Sequence, residues 1–80
     1  MYYVYIIKCN DESLYTGYTN NIKRRIKKHN EGKGAKYTRG RAPVELKYYE
    51  EFENKSKAMK REYEIKQFTH QQKKALYMNK

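Results

Sequence analysis

A carboxylate on the apolar stripe of a helix calls for an explanation. Glu62 stands four residues after Ala58 and three before Ile65, a spacing that places all three on the face that packs inward. An anion there needs a partner to offset its desolvation. A divalent cation is one such partner, because Mg²⁺ is commonly held by one carboxylate together with water and substrate oxygens. An ion pair with Lys66 at i+4 is the structural alternative, contributing roughly 0.2–0.5 kcal/mol. Arg25 lies three residues after Ile22 and four before His29, at the border of another helix's inner stripe. A guanidinium in that position can grip a phosphate through its planar fork and stabilise developing negative charge; otherwise it is one more solvated cation. His29 sits on the stripe itself and suits phosphate contact, proton transfer or a structural role. Tyr5 and Tyr15 would orient or deprotonate a water, although a phenol with pKa about 10 acts as a base only when a cation depresses it. Core packing is the alternative for each of the ten tyrosines, and which of these two would be the base stays open. Phosphodiester hydrolysis needs an activated water, neutralised phosphoryl oxygens and help for the leaving oxygen, and these residue types can supply all three.

The elements that must position these groups follow from local pattern. Residues 2–9 alternate as a strand, with Tyr2, Val4 and Ile6 on one side and Tyr3, Tyr5 and Ile7 on the other; both rows are apolar, so both faces should be covered. The turn residues Asn10, Asp11, Glu12 and Ser13 precede a returning strand over 14–19, completing a hairpin. Gly17 within it marks a bulge or a close backbone approach. Asn20 or Asn21 caps a helix running to about His29 or Asn30, and Gly32 stops it. Its inner stripe is Ile22, Ile26 and His29, with Lys23, Arg24, Lys27 and Lys28 on other faces. Residues 31–43 form a long, basic, glycine-containing connection, which favours a functional loop over a linker, although a mobile solvated loop is the plain alternative. Residues 44–53 alternate again, with Val44, Leu46, Tyr48 and Phe52 inward and Glu45, Lys47, Tyr49, Glu51 and Glu53 outward. Asn54 or Ser56 caps a helix over about 56–68, and Thr69 with Gln72 forms a capping box that starts a last helix at His70. The order is ββαβαα: an α/β (α+β) fold in which a three-stranded antiparallel sheet is flanked by helices.

Eighty residues support one core and one domain, 1–80. The lone cysteine, Cys9, has no internal disulfide partner, so a reducing cytoplasm is expected and the thiol reads as a small buried hydrophobe. Residues 2–7 are apolar but lack a basic lead-in and a cleavage site, and no stretch is long enough for a membrane span. The net charge is +10, and it is segregated. Residues 13–44 hold nine basic residues and one acid, whereas residues 45–54 hold four acids and one lysine. A basic face of this kind meets polyphosphate. DNA or RNA fits it; charge alone does not separate these from an anionic membrane, though nothing in the chain calls for a membrane.

Tyr5 in Tyr3-Val4-Tyr5, Tyr15 in Tyr15-Thr16-Gly17, Arg25 ten residues later, His29 one helical turn on and Glu62 far down the chain form an ordered set. That set resembles the GIY-YIG nuclease domain, and most closely the short bacterial members that consist of the domain alone. The resemblance runs from Tyr2 to about Leu76. Tyr3 replaces the glycine of the first motif, and Val4 and Thr16 replace the middle isoleucines. Those positions serve backbone and packing more than chemistry. The C-terminal polar residue of larger members has only Asn79 as a counterpart. The resemblance implies a metal-dependent endonuclease with Tyr5, Tyr15, Arg25, His29 and Glu62 as its catalytic set. One Mg²⁺ or Mn²⁺ would be held at Glu62. Gly17, Arg24, Lys28, Lys33, Lys36, Tyr37, Arg39 and Arg41 would contact nucleic acid, with Tyr37 near where some members carry a histidine. A base could stack on it among the loop cations. Without a module for reading base edges, selectivity would rest on structure rather than sequence. Flaps, branches or single strands, of the kind met in DNA repair, are the implied substrates. A non-catalytic DNA- or structured-RNA-binding domain that retains the scaffold is the alternative. A monomer is expected, and a protein partner could dock on Tyr48, Tyr49 and the last helix.

Overall fold

Val4, Tyr5, Ile6 and Ile7 are all fully buried, so the first strand is covered on both faces, as its two apolar rows require. In the computed structural model, which describes residues 1–78, the order is β1 (Tyr2–Lys8), β2 (Leu14–Thr19), α1 (Ile22–Asn30), β3 (Glu45–Phe52), α2 (Lys55–Lys66) and α3 (His70–Met78). Asn79 lies outside the described residues. The sheet is antiparallel in the order β2-β1-β3, so β2 and β3 are its two edges. On one face, Val4, Ile6 and Leu14 pack against Ala58 and Ile65 of α2, with Phe68 of the following turn and Leu76 and Tyr77 of α3 at the margin. On the other face, Tyr5, Ile7, Cys9 and Val44 form a second cluster that Ile26 of α1 and Tyr15 complete.

Local chemistry starts each helix where the sequence places it. The side chain of Asn21 accepts from Arg24 N, and that of Asn54 from Lys57 N, satisfying helix-end donors. The Thr69 hydroxyl accepts from Gln72 N at 3.1 Å while the Gln72 side chain accepts from Thr69 N at 2.8 Å; this reciprocal box starts α3 at His70. Cys9 is buried at the end of β1. Among the described residues no helix is long and apolar enough to cross a membrane.

One expectation needs correction. The register of β1 against β3 slips between Ile6 and Ile7, which pair with Tyr48 and Leu46 and leave Lys47 as the extra residue. A bulge of this kind reverses the alternation on one side of it. Leu46 therefore falls on the opposite face from Tyr48 and is 36% exposed, not inward. The charge of Glu50 also enters the α2 face. Arg61 donates to both its carboxylate oxygens, at 2.9 and 3.0 Å, and Tyr48 donates to it as well. Burial pushes this carboxyl up, but those hydrogen bonds more than offset it and hold it below the ordinary value.

Candidate active site

Tyr5 stands at the centre of β1, opposite Gly17 on β2. Its ring lies across that glycine. A Cβ on Gly17 would fall 2.5 Å from the Tyr5 hydroxyl and 2.8 Å from Cζ, so no side chain fits there. Close approach, and not a bulge, is the reason for the glycine. Gly17 is buried beneath the tyrosine.

The phenol reaches the inner stripe of α1. Tyr5 Oη is 2.8 Å from His29 Nε2, and Arg25 Nε donates to it at 3.4 Å. His29 Nδ1 is 2.7 Å from Thr38 Oγ1, and the Thr38 hydroxyl donates to Ala35 O at 3.1 Å. These contacts fix the protons. Thr38 has one hydroxyl hydrogen, given to Ala35, so it accepts from His29 Nδ1–H. The neutral imidazole then accepts the Tyr5 proton at Nε2. Donation runs one way: Arg25 to Tyr5, Tyr5 to His29, His29 to Thr38, Thr38 to Ala35. Burial pushes the Tyr5 phenol up to about 12, outweighing Arg25. Burial, with the Arg25 charge second, pulls His29 down to about 4. In the free protein the proton therefore stays on Tyr5. Gly34 closes the arrangement, since a Cβ there would lie 2.3 Å from His29 Nδ1 and 2.8 Å from its Cα.

Tyr15 supplies the half-exposed side of the cluster. Its ring meets His29 edge-on at 5.5 Å and stacks on Tyr37 at 5.7 Å with 19° between planes. The Arg41 guanidinium lies 4.3 Å from the Tyr37 ring centre and pairs with Asp11. Tyr37 is thus engaged within the protein rather than offered bare to a base. The 31–43 loop is anchored by Thr38 on His29, by Arg41 on Asp11, and by Asn30, whose side chain accepts from Val44 N at 2.7 Å; it is a built part of the site and not a solvated linker. Arg24, Lys28, Lys33, Lys36 and Arg39 are exposed.

Glu62 completes the set from the other face. Ala58 and Ile65 are fully buried beside it, and Glu62 keeps 18% of its side chain exposed. Lys66 Nζ lies 3.3 Å from Glu62 Oε2 and 5.7 Å from the Tyr15 ring centre. To reach that ring from α2, Lys66 must pass the free edge of β2. The Lys66 ammonium thus stands within reach of both the Glu62 carboxylate and the Tyr15 ring. The ion pair with Lys66 is formed, and through it Glu62 stands at the border of the cluster. Among the described residues no three His, Cys, Asp or Glu side chains gather, so the site offers a metal one carboxylate and leaves the remaining positions to water and substrate. That suits Mg²⁺ or Mn²⁺ arriving with a phosphate.

The sequence profile of the GIY-YIG catalytic domain matches residues 1–75. The chain belongs to the GIY-YIG family. It is 64% identical over 80 residues to a UPF0213 protein of Clostridium perfringens, covering 100% of this chain and 86% of that one. A UPF0213 protein of Haloquadratum walsbyi is 56% identical over 75 residues, 94% of this chain and 84% of the relative. The solution NMR structure of the UPF0213 protein of Bacillus halodurans superposes with a TM-score of 0.59 at 53% identity, over 95% of this chain and 82% of that one. The E. faecalis protein, also solved by NMR, gives 0.61 at 46% identity, over 90% and 77%. Membership ties the chain to a nuclease family. Sequence reasoning missed Gly34 and the contact of Thr38 with His29, for which no local signal exists because each matters only against a histidine from α1.

Proposed function

We propose that this GIY-YIG chain is a metal-dependent endonuclease that hydrolyses DNA phosphodiester bonds, selecting strand structure over sequence. The observation that carries the reading is the Tyr5 hydroxyl, held by Arg25 and His29 with Tyr15 packed on the same imidazole. Core packing alone does not need a guanidinium aimed at a buried phenol. Tyr5, fully buried, acts as a positioning residue that fixes Arg25 and His29. Tyr15, at the surface of the cluster, is the phenol that meets the attacking water. Arg25 grips the scissile phosphate and stabilises the charge that builds on it. Glu62 is the residue that would hold a divalent ion, which would supply Lewis-acid neutralisation of the phosphoryl oxygens. The exposed cations of α1 and the 31–43 loop track the backbone. Flaps, branches and single strands, the intermediates of DNA repair, suit a domain without a base-reading module.

One observation favours a second reading. The carboxylate is already neutralised by Lys66, as it would be in a domain that binds DNA or structured RNA without cutting. Cleavage of labelled single-stranded, duplex, flap and branched DNA with Mg²⁺ or Mn²⁺, wild type beside Glu62→Ala, separates the two. Metal-dependent cutting lost in the variant while binding persists is the expected result. Salt-sensitive binding by both proteins with no cutting by either would establish the binder.

A further inference from the structure

A cavity of about 390 Å³ straddles the free edge of β2, lined by Leu14, Tyr15, Thr16, Tyr37, Lys66 and Lys73. The cluster around Tyr5 does not account for its chemistry. Two ammonium groups from different helices face it. Lys66 is matched by Glu62, whereas Lys73 has no acidic partner within ion-pair distance among the described residues. Burial, and after it the Lys66 charge, holds Lys73 below the ordinary lysine value; a bound anion would relieve that repulsion. In the same lining the Thr16 hydroxyl is buried and has no hydrogen-bond partner among the described residues. Native structures seldom leave such a group unpaired without cause. Tyr15 and Tyr37 give the cavity an aromatic wall.

We propose that this cavity is a phosphate subsite in which Lys66 and Lys73 hold a backbone phosphate of the bound strand, next to the phosphate presented to Tyr15 and Glu62. Tyr15 and Lys66 belong to both places, so a strand laid over the β2 edge passes from one to the other. Paired lysines suit a phosphate as point charges without demanding a fixed orientation, as backbone tracking requires. The identity of the neighbouring phosphate rests on the nuclease reading; the anion binding does not.

The test is the affinity of the full chain for single strands of about ten nucleotides, read by fluorescence anisotropy in chelator across a salt series. Lys73→Gln should weaken binding about five- to tenfold and make the salt slope shallower by about 0.7, the loss of one phosphate contact. Lys74→Gln, an exposed neighbour on α3, should change affinity no more than about twofold, and Lys73→Arg should restore it. A Lys73→Gln protein that binds no more weakly than Lys74→Gln overturns the subsite. Strands with a 5′-phosphate and a 5′-hydroxyl identify the source of the anion. Equal loss with both supports a backbone phosphate, and loss confined to the phosphorylated strand replaces it with a terminal phosphate. Because the assay contains no metal, its result is independent of the cleavage experiment: either reading can fail while the other stands.

Discussion

Lowering the pH from 6.5 to 5 should destabilise this protein through one histidine. His29 is fully buried, and burial together with the Arg25 charge pulls its imidazole down to about 4 from an ordinary 6.5. Below pH 6.5 the unfolded chain takes up a proton that the folded site refuses, so stability is complete above that pH and is lost as the pH falls towards about 4. Each pH unit in that window costs about 1.4 kcal/mol, so reaching pH 5 removes about 2 kcal/mol. A chain of this size has only about 4–12 kcal/mol in total. Urea denaturation at pH 7, 6.5, 6, 5.5 and 5 measures the slope, with His29→Gln as the reference. Both proteins share every other titrating group, so the difference in slope belongs to His29. The variant should be less stable at pH 7 yet flatter with pH. An NMR titration of the wild-type imidazole gives a check that does not depend on the variant folding. Equal slopes in the two proteins, or an imidazole that protonates with a midpoint near 6.5, would refute the assignment of a buried, neutral His29 donating to Thr38.

Two further outcomes follow from packing. Gly34→Ala drives a methyl into His29 Nδ1 and its Cα; overpacking against backbone costs about 1–3 kcal/mol, and disrupting the bonds to Tyr5 and Thr38 adds to it. Thermal melts should show a fall of roughly 10 °C or more, and a drop of a degree or two would mean that the loop simply shifts. Arg61→Met leaves Glu50 half-buried without its bidentate partner and should cost about 1–3 kcal/mol at neutral pH by chemical denaturation. The Glu50 carboxyl is held below its ordinary value, so the pair contributes above the usual carboxylate pKa and fades as the pH falls. The wild type and Arg61→Met should therefore converge in stability in acid, and a constant gap would contradict the ion pair.

Much of the fold was legible because its causes are local. Asn21, Asn54 and the Thr69–Gln72 box start their helices through bonds spanning three residues, and the double apolar row of β1 declared a strand buried on both faces. The ordered set Tyr5, Tyr15, Arg25, His29 and Glu62 carried the family because spacing along helices and strands sets which face each residue takes. Where β3 lost its alternation, a bulge at Lys47 intervened, and a bulge is decided by how two strands meet. The direction of the hydrogen-bond chain was equally closed to sequence reading. It requires Tyr5 and His29, 24 residues apart, to meet a threonine from the loop. The same holds for the burial that lifts Tyr5 and lowers His29, for Glu50 turning inward to Arg61, and for Lys66 and Lys73 facing one cavity across the β2 edge. Sequence by itself determined which groups are present and how each element orients them. Tertiary packing alone decided which of them share a low-dielectric space, and protonation and pairing follow from that space.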